Sequence, residues 1–292
     1  MIKVIASDMD GTLLNNHHAI DPETLRAIHK ACDAGIRFML ATGRNFRGAL
    51  VELKDMDLVC DYIVGSGAEV RNPEGELVLT NPININLCEQ VYEILIKYPV
   101  PVVFCTNHFD YRIGDAEEIE ESFIHQLKGF HTEQDMDDEQ IRQDPVYIRI
   151  KENTKIIPDF SEIKKSGLPI YKIFLYSDNI PLLNNIRQEL SSNKQIAVAA
   201  SFETNLEITD IKAQKGPVLK KYIESLGYTM DEVMVLGDSM NDFSMLEMPF
   251  GATVAMENAM PEVKKVAKYI TKSNEELGVA HAINCLLEQY GL

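Results

Sequence analysis

Two short apolar runs at opposite ends of the chain each empty into a loop with paired carboxylates, and this constrains the fold more than any other feature. Met1 to Ser7 leads into Asp8-Met9-Asp10-Gly11-Thr12, and Val233 to Leu236 leads into Gly237-Asp238-Ser239-Met240-Asn241-Asp242. Runs of this kind read as buried strands, and two strands that end in acidic loops point to one shared metal site. Four carboxylates within ~5 Å repel pairwise by about 3 kcal/mol each at an effective dielectric of roughly 20, so the cluster requires a cation. Oxygen-only ligands with no His or Cys nearby favour Mg²⁺ over Zn²⁺ or Cu²⁺.

The spacing along the chain gives the frame. Asp21-Pro22 supplies an N-cap and a first-turn proline for a helix through Cys32, Ile36 to Ala41 reads as the next strand, Asn45 to Lys54 as a helix and Tyr62 to Val64 as a third strand. Asn72-Pro73-Glu74-Gly75 reads as a hairpin turn. This alternation predicts a parallel sheet whose active loops lie at the carboxyl ends of its strands. From about Ile83 to Thr209 the pattern changes, with helices expected over Leu87 to Lys97, Glu117 to Leu127 and Asn179 to Leu190. Strands are expected over Val102 to Cys105, Val146 to Ile150, Tyr171 to Tyr176 and Ile196 to Ala199. The stretch Glu133 to Glu139 reads as an acidic surface segment. After Lys215 the first pattern resumes, with a helix to Leu226, strands at Val233 to Leu236, Ala252 to Ala255 and Tyr269 to Ile270, and helices after Asn241, over Met260 to Ala267 and to about Gln289. Residues 1–82 and 210–292 are therefore expected to form one domain and 83–209 an inserted second one, as a chain of 292 residues allows.

Composition excludes several classes of partner. A net charge of −17 disfavours nucleic acid and anionic membrane surfaces. No apolar run approaches the ~20 residues of a membrane span, and no basic-then-apolar leader precedes the first strand, so a cytoplasmic location is expected. Cys32, Cys60, Cys88, Cys105 and Cys285 lack paired spacing and read as reduced thiols.

Asp8 stands where its strand ends and is the expected nucleophile, since a carboxylate can attack phosphorus and split one hydrolysis into two displacements. Asp10, two residues on, can protonate the leaving oxygen and then activate water, and Gly11 gives the backbone freedom that places it. Thr42-Gly43-Arg44 closes the second strand with a hydroxyl and N–H groups suited to phosphate oxygens. Lys215-Gly216-Pro217 opens the returning helix, where an ammonium opposes the helix dipole and asks for an anion nearby. Asp238 is the expected direct metal ligand, Asp242 its support one turn on, and Asn241 a hydrogen-bond bridge. Met240 and Met245 read as core. His17 and His18 lie in the loop after the first cluster, and His108, His125 and His131 show no metal-ligand spacing.

Asp8-x-Asp10-Gly11-Thr12, Thr42-Gly43-Arg44, Lys215-Gly216 and Gly237-Asp238-x-x-Asn241-Asp242 together resemble the four motifs of the haloacid dehalogenase superfamily, in its Cof-type, subclass IIB branch. The resemblance implies an α/β fold, a Rossmann-like parallel-sheet core with an inserted α+β cap of the C2 type. It implies Mg²⁺-dependent hydrolysis of a small-molecule phosphomonoester through an aspartyl phosphate, with a sugar phosphate or a phosphorylated cofactor such as a flavin or pyridoxal derivative as substrate. Metal ligation then falls to Asp8, Asp10 through its backbone, and Asp238. Met9, Thr42, Gly43 and Lys215 hold phosphate, and Arg44, Asn241 and Asp242 support the substrate or the inner residues. Ser66 in Gly65-Ser66-Gly67-Ala68 stands where this branch commonly has asparagine, and Glu257 replaces a frequent glycine. Both departures bear on substrate shape. A phosphotransferase or phosphomutase shares every motif; a phospho-aspartate signalling module shares only the Mg²⁺-bound aspartate, and a hundred-residue cap fits it poorly.

Overall fold

Val4–Ser7 forms the central strand β1 because four consecutive buried side chains fit only a strand covered on both faces. The computed structural model describes residues 1–54, 56–130 and 136–292, in two compact units: Met1–Asn81 with Ile211–Leu292, and Pro82–Asp210.

In the first unit β1 is followed by α1 (Pro22–Asp33), β2 (Arg37–Ala41), α2 (Phe46–Glu52), β3 (Asp61–Val64), β4 (Glu69–Arg71) and β5 (Leu77–Thr80). The start of α1 is fixed as the sequence implies, with the Asp21 carboxylate accepting from the Glu23 N–H and Pro22 in the first turn. The Asn72 side chain accepts from the Glu76 N–H across the turn between β4 and β5.

The second unit contains α3 (Ile85–Leu95), β6 (Val102–Cys105), β7 (Asp110–Ile113), α4 (Ala116–Phe130), α5 (Asp138–Gln143), α6 (Pro145–Asn153), β8 (Thr154–Ile157), α7 (Phe160–Ser166), β9 (Lys172–Tyr176), α8 (Ile180–Leu190), β10 (Ile196–Ala199) and β11 (Asn205–Asp210). Its six strands run in the order β10-β11-β9-β6-β7-β8, and one face of that sheet joins Leu87, Phe104, Ile173, Ile186 and Ile208 in an apolar core.

The first unit resumes with α9 (Lys215–Ser225), β12 (Val233–Gly237), α10 (Phe243–Leu246), β13 (Ala252–Ala255), α11 (Pro261–Val266), β14 (Tyr269–Ile270) and α12 (Gly278–Tyr290). Its sheet order is β14-β13-β12-β1-β2-β3-β4-β5, parallel from β14 to β3. β1 therefore lies between β2 and β12, which brings the two acidic loops to the same edge of the sheet.

One expected strand is a helix. Val146 to Ile150 alternates polar and apolar residues, yet it falls in α6, because the Asp144 side chain accepts from the Val146 N–H and Pro145 occupies the first turn. Tyr147 then packs with Phe123 and Ile141 in a small cluster of α4, α5 and α6. Asp137 and Gln140 form a reciprocal cap at the start of α5, whereas Glu133 to Asp135, like His131, lie outside the described residues. The five cysteines are free, with Cys60 and Cys88 buried and Cys285 exposed. Among the described residues no helix is long and apolar enough to cross a membrane.

Candidate active site

Pairing of β1 with β2 and β12 sets Asp8, Thr42 and Asp238 side by side at the carboxyl ends of three neighbouring strands. The Asp8 N–H donates to the Leu236 carbonyl at 3.0 Å, tying the first acidic loop to β12. Gly11 adopts φ +76°, and a Cβ there would stand 2.6 Å from Asp238 Oδ2. Only glycine lets the two loops approach this closely.

Lys215, the first residue of α9, is fully buried, and its Nζ donates to Asp8 Oδ1 at 2.6 Å, Asp242 Oδ1 at 2.6 Å and Asn241 Oδ1 at 3.2 Å. Asp242 Oδ2 accepts from the N–H groups of Asp238 at 3.0 Å and Ser239 at 3.1 Å. The Thr12 hydroxyl donates to Asp238 Oδ1 at 2.8 Å. Asp8, Asp238 and Asp242 present oxygen atoms that all lie within 4.8 Å of one another.

Burial, and then the charge of Asp242, pushes the Asp8 carboxyl well above the usual carboxylate range, and the same two effects push Asp238 up to about 7. Burial works against the charge on Lys215, but Asp242 and Asp8 outweigh it and hold the ammonium above its ordinary value. One ammonium against three carboxylates leaves a negative excess that a divalent cation matches, and an all-oxygen donor set suits a hard one such as Mg²⁺.

Asp10 does not bring its side chain to this group. Both of its oxygens accept from Arg44, Oδ2 from Nε at 2.8 Å and Oδ1 from Nη2 at 2.6 Å, and Arg44 also pairs with Glu52. The expected four-carboxylate cluster is thus a three-carboxylate one, because the guanidinium fork satisfies Asp10 in a bidentate pair. Arg44 is accordingly seen as the partner of Asp10.

Thr42 is buried and its Oγ1 accepts from the Arg44 N–H at 3.1 Å, which shapes the Thr42-Gly43-Arg44 loop. Met9 has its side chain in the core and offers the site its backbone alone. Ser66, at φ +59°, donates its N–H to the Thr42 carbonyl at 3.0 Å and so braces this loop. Glu257 is exposed and lies 3.7 Å from Lys264, and His17 and His18 are exposed.

Four supporting residues draw no role from their spacing in the sequence. Thr12 and Ser239 act within the cluster, the Ser239 hydroxyl donating to Asn241 Oδ1 at 2.9 Å. Asn258 Nδ2 donates to the Gly11 carbonyl at 2.8 Å, and Asn274 donates to Asn258 Oδ1 at 3.0 Å and to the Leu14 carbonyl at 3.1 Å. These amides join segments far apart in sequence, so no local pattern reveals them.

Gly216 seats Lys215. A Cβ on it would meet the Ser244 carbonyl oxygen at 2.0 Å, so α9 and α10 touch through backbone. Gly216→Ala is expected to cost about 1–3 kcal/mol of stability through overpacking, seen as a lower midpoint of urea unfolding, and to reduce activity by shifting Lys215.

A parallel sheet with a buried lysine and a three-carboxylate cluster at its carboxyl edge is the frame of an α/β enzyme of phosphoryl chemistry. The family model for haloacid dehalogenase-like hydrolases matches residues 5–283, and the chain belongs to that family. It is 30% identical over 286 residues to the 5-amino-6-(5-phospho-D-ribitylamino)uracil phosphatase YwtE of Bacillus subtilis (strain 168), covering 98% of each chain. It is 27% identical to an HMP-PP phosphatase of Yersinia pseudotuberculosis, covering 97% of this chain and 95% of that one. Among solved structures, a haloacid dehalogenase-like hydrolase from B. subtilis superposes with a TM-score of 0.83 at 26% identity, over 97% of this chain and 99% of that one. The enzyme is a haloacid dehalogenase-type phosphatase of the Cof-type branch acting on small phosphorylated substrates, as the four motifs imply.

Proposed function

We propose that the enzyme hydrolyses a small phosphomonoester, a sugar phosphate or a phosphorylated cofactor, through an aspartyl phosphate on Asp8. The observation that carries this reading is the Lys215 ammonium, 2.6 Å from both Asp8 and Asp242 beside a three-carboxylate group. In the first displacement an Asp8 oxygen attacks phosphorus as the bond to the leaving oxygen breaks and Asp10 supplies that oxygen with a proton. In the second, Asp10 takes a proton from the water that attacks phosphorus, and the bond to Asp8 breaks. Asp10 enters either step by exchanging a hydrogen bond with Arg44 for one to the reacting oxygen. Thr42, Lys215 and the N–H groups of Met9 and Gly43 face the transferring oxygens, so catalysis is chiefly positioning and charge stabilisation.

Asp8 and Asp238, with the Asp10 carbonyl, would hold Mg²⁺, and Asp242 fixes the group through Lys215 and its two N–H bonds. A divalent cation there supplies positive charge beside the phosphoryl group. Incubation with chelator is expected to lower phosphate release, measured without any acceptor alcohol, by about 100-fold or more, and added Mg²⁺ to restore it. Mg²⁺ should also raise the unfolding temperature in a concentration-dependent way. Equal rates in stripped and Mg²⁺-supplemented enzyme would remove the metal from the mechanism. Release of the leaving alcohol only when an acceptor alcohol is present, with the phosphoryl group recovered on that acceptor and not as inorganic phosphate, would indicate a phosphotransferase.

A further inference from the structure

Two loops would have to supply ligands to one cation, and the first of them is softest at Gly11. Glycine is required there, since a Cβ would stand 2.6 Å from Asp238 Oδ2, but glycine also leaves the backbone free to turn. The carbonyl of this residue is held from outside the loop. Asn258 Nδ2 donates to the Gly11 carbonyl at 2.8 Å, and Asn258 Oδ1 accepts from the Asn274 N–H at 3.0 Å. A backbone N–H can only donate, so it fixes Oδ1 on its own side and turns the Nδ2 donor toward Gly11.

Asn258 is itself anchored to the second acidic loop. It lies in the turn after β13, where the Met256 N–H donates to the Gly237 carbonyl at 3.1 Å and the Met260 N–H to the Asp238 carbonyl at 2.8 Å. This turn grips the loop of Asp238 through backbone on either side of Asn258, and the loop of Asp8 and Asp10 through the Asn258 amide. Asn274 adds a hold further along the first loop, from Nδ2 to the Leu14 carbonyl at 3.1 Å, and the Leu14 N–H donates to the Met9 carbonyl at 2.9 Å. Thr12 also crosses between the loops, but it ends on the Asp238 carboxylate. Asn258 crosses from backbone to backbone.

Stability alone does not call for an amide at this position. Asn258 is exposed, and at an exposed site water replaces a lost donor at little cost. Water does not hold a carbonyl in one direction.

We infer that Asn258 is a positioning residue for the metal: by pinning the Gly11 peptide to the turn that grips the Asp238 loop, its amide sets the Asp10 carbonyl, one peptide earlier, against the Asp238 carboxylate. The inference rests on the metal reading above, in which the Asp10 carbonyl and Asp238 share one Mg²⁺. Mg²⁺ tolerates little departure from octahedral geometry, so a donor free to swing about Gly11 binds it less well. Residues that hold ligands in place without touching the ion commonly account for about 10–100-fold in metal affinity.

The test titrates Mg²⁺ into metal-stripped wild-type and Asn258→Ala enzyme by calorimetry, and into the same preparations while phosphate release is followed. The variant should bind Mg²⁺ about 10–100-fold more weakly, and its half-maximal rate should need correspondingly more Mg²⁺. At saturating Mg²⁺ its kcat should return to within about threefold of wild type. Without Mg²⁺ the two proteins should unfold at the same urea midpoint. Asn258→Ser, whose hydroxyl is too short to reach Gly11, should behave as Asn258→Ala does. An Mg²⁺ affinity within about twofold of wild type in both variants overturns the inference and leaves the metal reading standing. So does a lowered Mg²⁺-free urea midpoint together with a kcat that saturating Mg²⁺ fails to restore, since the amide is then a structural tie. Wild-type enzyme that binds no Mg²⁺ and turns over equally well without it removes the metal reading, and the inference with it.

Discussion

Asp8→Asn is expected to abolish turnover while the protein stays folded. The amide has nearly the shape of the carboxylate and keeps an oxygen that can accept from Lys215, now 2.6 Å from Asp8 Oδ1. It cannot form the acyl phosphate bond, so the loss is one of chemistry, about 10⁴-fold or more in kcat. The fold survives because Lys215 retains Asp242 as its counter-charge, and because neutralising position 8 relieves its repulsion with Asp242 and Asp238, the charges that help hold its carboxyl above the usual range. Phosphate release and thermal unfolding measured on the same preparation check both halves. Wild-type turnover in a folded Asp8→Asn protein would assign the nucleophile elsewhere.

Much of the frame that positions Asp8 is legible in the sequence because apolar runs mark strands, whether buried like Ala252–Ala255 or at an exposed sheet edge like Tyr269–Ile270. In the second unit, Val102–Cys105 and Ile196–Ala199 also fall where patterning puts them. Of the failures, one overlooks a local signal and the others lie where pairing with neighbours decides. Val146 to Ile150 looks like a strand until the cap at Asp144 and Pro145 is weighed. β7 and β8 are short, and Asp110, Arg112, Thr154 and Lys155 leave them little apolar signal, so they gain identity only by pairing with each other and with β6. β11 alternates Leu206 and Ile208 with polar residues, a half-buried pattern that composition alone does not separate from a loop.

The site divides in the same way. Asp8, Lys215, Asp238 and Asp242 are each legible because their loops carry distinctive spacing and follow buried strands. The destination of the Asp10 side chain is not, since its bidentate pair with Arg44 depends on how two loops from neighbouring strands meet.

Lys215→Met is expected to have the largest effect on stability. Lys215 and Asp242 have fully buried side chains and Asp8 nearly so, and the ammonium is the counter-charge for both carboxylates. Removing one partner from a buried ion network typically costs about 3–5 kcal/mol, because the buried charge left behind has lost its counter-charge. Urea unfolding should therefore show a drop of that order, and turnover should fall about 10²–10³-fold through loss of charge at the transferring phosphoryl group. Adding Asp242→Asn to Lys215→Met removes one of the stranded carboxylates, so the double variant should be more stable than Lys215→Met alone. That non-additivity separates an electrostatic role from a packing one, since a methionine that merely fits badly would fit no better beside an amide than beside the Asp242 carboxylate. If the second substitution lowers stability further by its own independent cost, Lys215 is held by packing and the charge network around Asp8 is not what fixes the site.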